Sequence, residues 1–202
     1  MEPSKPSKIA RLIPALIVLA CSFLIAISPK AQRLCIYDRH AILQGDLWRV
    51  YTGHFVHFSM SHLLYDASAL FVAVVLLEKW RVPGRNVFLV SAPLAISLAM
   101  MLFEPNLEFY GGLSGVGMGA VTLMSLHGLI SGASRWPAVL ALAVVTLKCA
   151  TPGLQLATFD DRSIRVAGIS HIAGTLFAGI VFAVTKLHCL SCRERRLTFS
   201  AR

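Results

Sequence analysis

Six long apolar runs limit what this chain can fold into. They fall at about 12–28, 58–78, 87–103, 113–132, 136–150 and 167–187. A bilayer's hydrocarbon core takes about 20 apolar residues of helix. Backbone polar groups in lipid must be satisfied internally, which leaves helices or closed barrels. The runs are continuous rather than striped, and only 14% of the 202 residues are charged, where a soluble domain carries about a quarter. The expected fold class is an all-α membrane protein, a six-transmembrane-helix bundle forming one domain over 1–202. The run at 136–150 is the shortest, and Pro152-Gly153 ends it. Lys5, Lys8 and Arg11 precede the first run as they would in a signal peptide. No small-residue cleavage site follows, so that run is read as a span.

The net charge of +9 invites a nucleic-acid reading. The basic residues cluster beside the apolar runs, however, and membrane topology accounts for them better. With the N-terminus inside, the inner segments hold Lys5, Lys8, Arg11, Lys79, Arg81, Arg85, Arg135, Lys186, Arg193, Arg195, Arg196 and Arg202. The outer side holds Lys30, Arg33, Arg39, Arg49, Lys148, Arg162 and Arg165, which makes 12 against 7 of the 19. Asp38, Asp46, Glu104, Glu108, Asp160 and Asp161 all fall outside. Both termini are therefore expected in the cytoplasm, as short tails at about 1–11 and 188–202. Residues 29–57 form a long first loop with Tyr37, Trp48, Tyr51, Phe55 and three histidines. Such a loop is expected to pack at the membrane interface as partial structure.

Polar side chains gather at one depth. Ser114 follows Gly111-Gly112-Leu113 at the outer end of the fourth span. His171 lies about one turn into the sixth span from outside, and His62 about one turn into the second. Polar groups in such segments are costly and mark a site. Gly115 and Gly119 on the fourth span, with Gly174 and Ala178 on the sixth, let two backbones approach closely in lipid. A serine needs a base to become a nucleophile, and a neutral imidazole is the usual one. Ser114 and His171 are the candidate pair. The glycine turn, with Gly112 and Leu113, opens a helix whose first amides are unpaired and can face an oxyanion. His62 adds a side-chain donor. Ser114 also suits a helix N-cap; the two histidines at its depth favour the chemical reading.

Trp48-Arg49, His57-Phe58-Ser59, His62-x-x-x-Asp66, Gly112-Leu113-Ser114-Gly115 and His171-Ile172-Ala173-Gly174 occur in that order. Together they resemble the rhomboid family of intramembrane serine proteases, over nearly the whole chain. The resemblance implies a rhomboid-like bundle and a Ser114–His171 dyad without a third acid. It implies that His62 helps form the oxyanion hole with the backbone at Ser114. It assigns Trp48, Arg49 and Glu78 to a structural anchor of the first loop. It also implies substrates that are membrane proteins cut within a transmembrane segment near the outer face, and a bacterial inner membrane. The compact build is similar to the rhombosortase branch, which trims C-terminal sorting tails carrying Gly-Gly. No cofactor and no metal are expected.

Two departures matter. Asp66 stands where the family usually has Asn, and an ionised carboxylate aimed at an oxyanion would repel it. Asp66 shares a helix face with His62: either it orients or charges His62, or burial keeps it neutral. Met118 replaces a Tyr that many members set against the histidine, and its thioether can make a similar soft contact.

A pseudoprotease that binds membrane proteins without cutting them is the main rival reading, and Asp66 is its support. A proton-coupled transporter lacks inverted repeats here, and a zinc protease lacks HExxH. His54 and His57 are assigned to first-loop structure. His127 receives no role. Cys35 and Cys149 lie on the outer side, free or bridged, and Cys189 and Cys192 are half of a zinc site at most.

Overall fold

The computed structural model of the chain describes residues 8–132, 135–151 and 167–200. Several expectations lie outside the described residues: the tail at 1–7, the stop at Pro152-Gly153, the outer charges Asp160, Asp161, Arg162 and Arg165, and the side chains of Cys192, Arg193, Arg195 and Arg196.

Helix α1 (Lys8–Ala26) turns at Ser28 into α2 (Pro29–Cys35). Ser28 caps α2 by accepting the Ala31 N–H at 3.3 Å, and Pro29 sits where its missing N–H costs nothing. The axes of the two helices differ by 116°, so the chain leaves the bundle direction here. The first loop continues through β1 (Tyr37–Asp38), α3 (Arg39–Leu43), α4 (Arg49–Thr52) and a 3-10 turn at Gly53–Phe55. Its expected partial structure is thus a set of short elements. Helices α5 (Met60–Lys79) and α6 (Arg85–Phe103) follow, then β2 (Phe109–Tyr110), α7 (Ser114–Ser131), α8 (Arg135–Ala150) and α9 (Gly168–Ser200).

β1 and β2 pair antiparallel, with Tyr37 opposite Tyr110 and Asp38 opposite Phe109. The apolar runs gave no hint of these strands. They tie the first loop to the segment that leads into Ser114.

Six apolar helices occupy the six runs, but they do not all qualify as spans. α5, α6, α7 and α9 are long and apolar enough to cross a membrane, and the bent pair of α1 and α2 makes a fifth candidate. α8 has 16 residues, about 24 Å at 1.5 Å per residue, which is short of the hydrocarbon core. The sixth helix also departs from expectation. α9 does not stop near 187 but runs to Ser200, so the expected C-terminal tail is helical almost to its end.

The helices are apolar on both sides, as membrane helices are. On α6, Phe88, Ala92, Ile96 and Met100 face the core while Val90, Leu94, Leu98 and Leu102 face outward. α7 is the most enclosed span, packed mainly against α9 and also touching α5, α6 and α8. Its contact with α9 is close because both sides lack side chains. A Cβ on Gly115 would stand 2.8 Å from the Ser170 carbonyl oxygen, and one on Gly174 would meet the Gly115 carbonyl.

Candidate active site

Ser114 is the first residue of α7, and Leu113 holds the N-cap position without a side-chain cap bond. The Ser114 hydroxyl is therefore not spent on capping. Its Oγ lies 3.0 Å from Nε2 of His171, in the first turn of α9. His171 is buried, and among the described residues its Nδ1 has no hydrogen-bond partner, so none of them sets a carboxylate behind the imidazole. A neutral His171 with its proton on Nδ1 leaves Nε2 free to accept the serine proton.

The turn before Ser114 is shaped by Gly112. Its φ is +138°, and a Cβ there would lie 3.1 Å from Cε1 of His62 and 3.3 Å from Oδ2 of Asp66. The positive φ favours glycine, and a Cβ would press on His62 and Asp66. Gly112 thus brings the nucleophile's turn against the second span. Its N–H, however, is directed at the Gly53 carbonyl at 3.4 Å. The oxyanion role expected of Gly112 would have to compete with this contact to the first loop. The amides at the start of α7, at Ser114 and Gly115, remain for that task because a helix start leaves them without intrahelical acceptors.

His62 is anchored from below. Ser59 caps α5 by accepting the His62 N–H at 3.2 Å, and His62 Nε2 lies 3.3 Å from Asp66 Oδ2. His57, assigned from sequence to loop structure, lies in the same cluster. Its Nε2 is 3.4 Å from that carboxylate oxygen, its ring packs edge-on to His62 with centroids 5.1 Å apart, and it is fully buried.

Tyr110 also escaped the sequence reading. Its hydroxyl donates to the Gly112 carbonyl at 2.9 Å, and its phenol neighbours the Ser114 and Ser170 side chains. Burial pushes its phenol up from the usual tyrosine range. His54 packs edge-on to Tyr110 at 5.3 Å. Its Nε2 donates to Pro93 O at 3.0 Å and to Ser97 Oγ at 3.1 Å, while Ser97 in turn donates to Val50 O at 2.6 Å. Burial lowers His54 to about 4. The aromatic pair Phe109-Tyr110 directly before the glycine turn is the one sequence signal that points toward Tyr110, and it is a weak one.

Trp48 and Arg49 lie in the first loop. Arg49 donates to the Arg33 and Ile36 carbonyls, both at 3.0 Å, and pairs with Asp46 at 2.9 Å. Trp48 Nε1 donates to Leu34 O at 3.2 Å. Glu78 does not join them. It pairs with Arg85 at 2.6 Å, at the α5–α6 turn and at the opposite end of α5. It belongs to that turn because the 20 residues of α5 separate it from the first loop. His127 lies away from the site, near Lys186. Cys35 and Cys149 are free thiols, so the bridge considered between them is not formed. Among the described residues, no group of three His, Cys, Asp or Glu side chains is arranged to hold a metal ion.

Several helices long and apolar enough to cross a membrane, with a serine and a histidine in contact at the start of two of them, define a multi-pass integral membrane protein with a polar cluster at one end. The Rhomboid domain family matches residues 44–189, well over half of the chain. The chain belongs to the rhomboid family. No curated protein matches it.

Proposed function

We propose that this protein is a serine endopeptidase that cuts transmembrane segments of membrane-protein substrates near the outer membrane face. The observation that carries this reading is the 3.0 Å contact between Ser114 Oγ and His171 Nε2, beside the free amides of α7. His171 takes the Ser114 proton as Oγ attacks the scissile carbonyl. The oxyanion develops against the Ser114 N–H and the His62 side chain, which offset its charge. His171 then protonates the leaving amine, and an acyl-enzyme remains. Water, deprotonated by His171, hydrolyses it and frees Ser114. No cofactor or metal enters these steps.

The whole of 1–202 forms one such domain, with both termini cytoplasmic, in a bacterial inner membrane. Within the family, the compact build favours a rhombosortase-like role in trimming C-terminal sorting tails. The rival is a pseudoprotease that binds membrane proteins, and it rests on Asp66.

The test is labelling by a fluorophosphonate probe in detergent, with wild type beside Ser114→Ala and His171→Ala. Labelling of wild type that both substitutions abolish is the expected result. A well-folded wild type that does not label favours the pseudoprotease, and labelling that survives Ser114→Ala removes Ser114 as the nucleophile.

A further inference from the structure

The proton accounting around Asp66 leads beyond that reading while resting on it. His57 Nδ1 lies 3.2 Å from the Phe55 carbonyl oxygen. A carbonyl only accepts, so Nδ1 carries a proton and donates it. The other ring nitrogen, Nε2, faces Asp66 Oδ2 at 3.4 Å, with the two side chains 0% and 3% exposed. A neutral His57 with its proton on Nδ1 would set a lone pair against a carboxylate oxygen in a site closed to solvent. Neither atom makes a hydrogen bond of good geometry, so the 3.4 Å approach is a contact of charge, and it is favourable only when a second proton is carried by Nε2 or by Asp66. With that proton, the pair is either imidazolium and carboxylate or imidazole and carboxylic acid. Both forms are neutral in total.

We infer that His57 is a positioning residue that neutralises Asp66, so that a His57–Asp66 pair takes the place of an uncharged amide beside the oxyanion site. The requirement follows from the surroundings. Asp66 Oδ2 stands 3.3 Å from where a Cβ on Gly112 would be, two residues before Ser114. Its other close partner is His62 Nε2 at 3.3 Å, a donor to the same oxyanion. An uncompensated carboxylate here would oppose the negative charge that develops on attack, with little water to screen it. It would also hold the His62 proton for itself. With His57 neutralising the acid, His62 remains available to the oxyanion.

The experiment is a double-substitution cycle with His57→Gln and Asp66→Asn, read as the rate of fluorophosphonate labelling at Ser114. His57→Gln leaves the acid unpaired and is expected to slow labelling about a hundredfold, the scale of a lost oxyanion donor. In protein that also carries Asp66→Asn there is no charge to compensate, and His57→Gln is expected to cost no more than about twofold there. A merely structural His57 would give the same loss in both backgrounds, and that result overturns the inference. So does a greater loss in Asp66→Asn than in His57→Gln.

The same cycle read as melting temperature in Ser114→Ala protein separates the pair from the catalysis. Coupling between the two positions there supports the pair even if wild type never labels, in which case only the protease reading fails. Independent effects on melting overturn the pair whatever the labelling shows. If His57→Gln alone does not fold, recovery of folding on adding Asp66→Asn counts for the pair, and its absence counts against it.

Discussion

At the residue scale, Gly112 shows how one position can serve a site without touching substrate. Its φ of +138° is outside the range that side chains tolerate, and its α-carbon is the surface on which His62 and Asp66 rest. Its carbonyl accepts from Tyr110 at 2.9 Å and its amide reaches Gly53, so the turn is held on three sides. Gly112→Ala is expected to destabilise the protein by about 1–3 kcal/mol through backbone strain, with the new methyl group pushing the His62 ring aside. Melting in detergent and probe labelling should therefore both fall. A variant that melts lower but labels at the wild-type rate would show that the turn serves only stability. Ser114 itself was legible as a residue of interest because glycines and two histidines surround it. His57 was not, because it precedes α5 and no helical spacing relates it to Asp66.

At the scale of elements, two contacts assemble the site. Glycines 115 and 174 allow α7 and α9 to meet backbone to backbone, which brings Ser114 and His171 within one hydrogen bond. Packing of this kind replaces the hydrophobic drive that lipid does not supply. The other contact is the first loop. Arg39 donates to the Met101 carbonyl from both terminal nitrogens at 3.1 Å, holding the loop to the end of α6, and His54 fastens it to the middle of the same helix. That second fastening is sensitive to pH. Unfolded His54 takes up a proton near 6.5 and the folded one only near 4, because burial disfavours the charged form. The unfolded state then binds more protons between those values, so stability is full above about 6.5 and is lost as pH falls toward 4. Melting temperature in detergent should drop across that window, and His54→Gln should flatten the drop. A drop of equal size in His54→Gln would assign it to another group.

For the whole molecule, the starts of α5, α7 and α9 lie together at one end of the bundle, and the first loop is packed over that end. On the orientation proposed from the charge pattern, that end faces outside and the ends of α5 and α9 face inside. An impermeant maleimide should therefore label Leu43→Cys in intact spheroplasts, since Leu43 is exposed in α3. Native Cys189, exposed near the far end of α9, should label only after lysis. The reverse pattern would invert the topology and place the candidate site on the cytoplasmic side. The 16 residues of α8 bear on the same question, because a helix too short for the bilayer is accommodated by thinning it or by displaced flanking residues.

The sequence alone determined the helical class, the six apolar segments and the residues at the shared depth. Lipid forces these outcomes locally: a long apolar run must be a helix, and a polar group within it must have a partner. It also carried the ordered motifs that resemble those of the rhomboid family. Tertiary structure alone decided which partners those are. The β1–β2 pairing, the use of the Gly112 amide by the first loop, the assignment of Glu78 to Arg85 and the meeting of His57 with Asp66 all join residues whose spacing along the chain implies nothing about contact. Each depends on two segments folding against one another, and only the packed bundle fixes which hydrogen-bonding groups end up facing each other away from water.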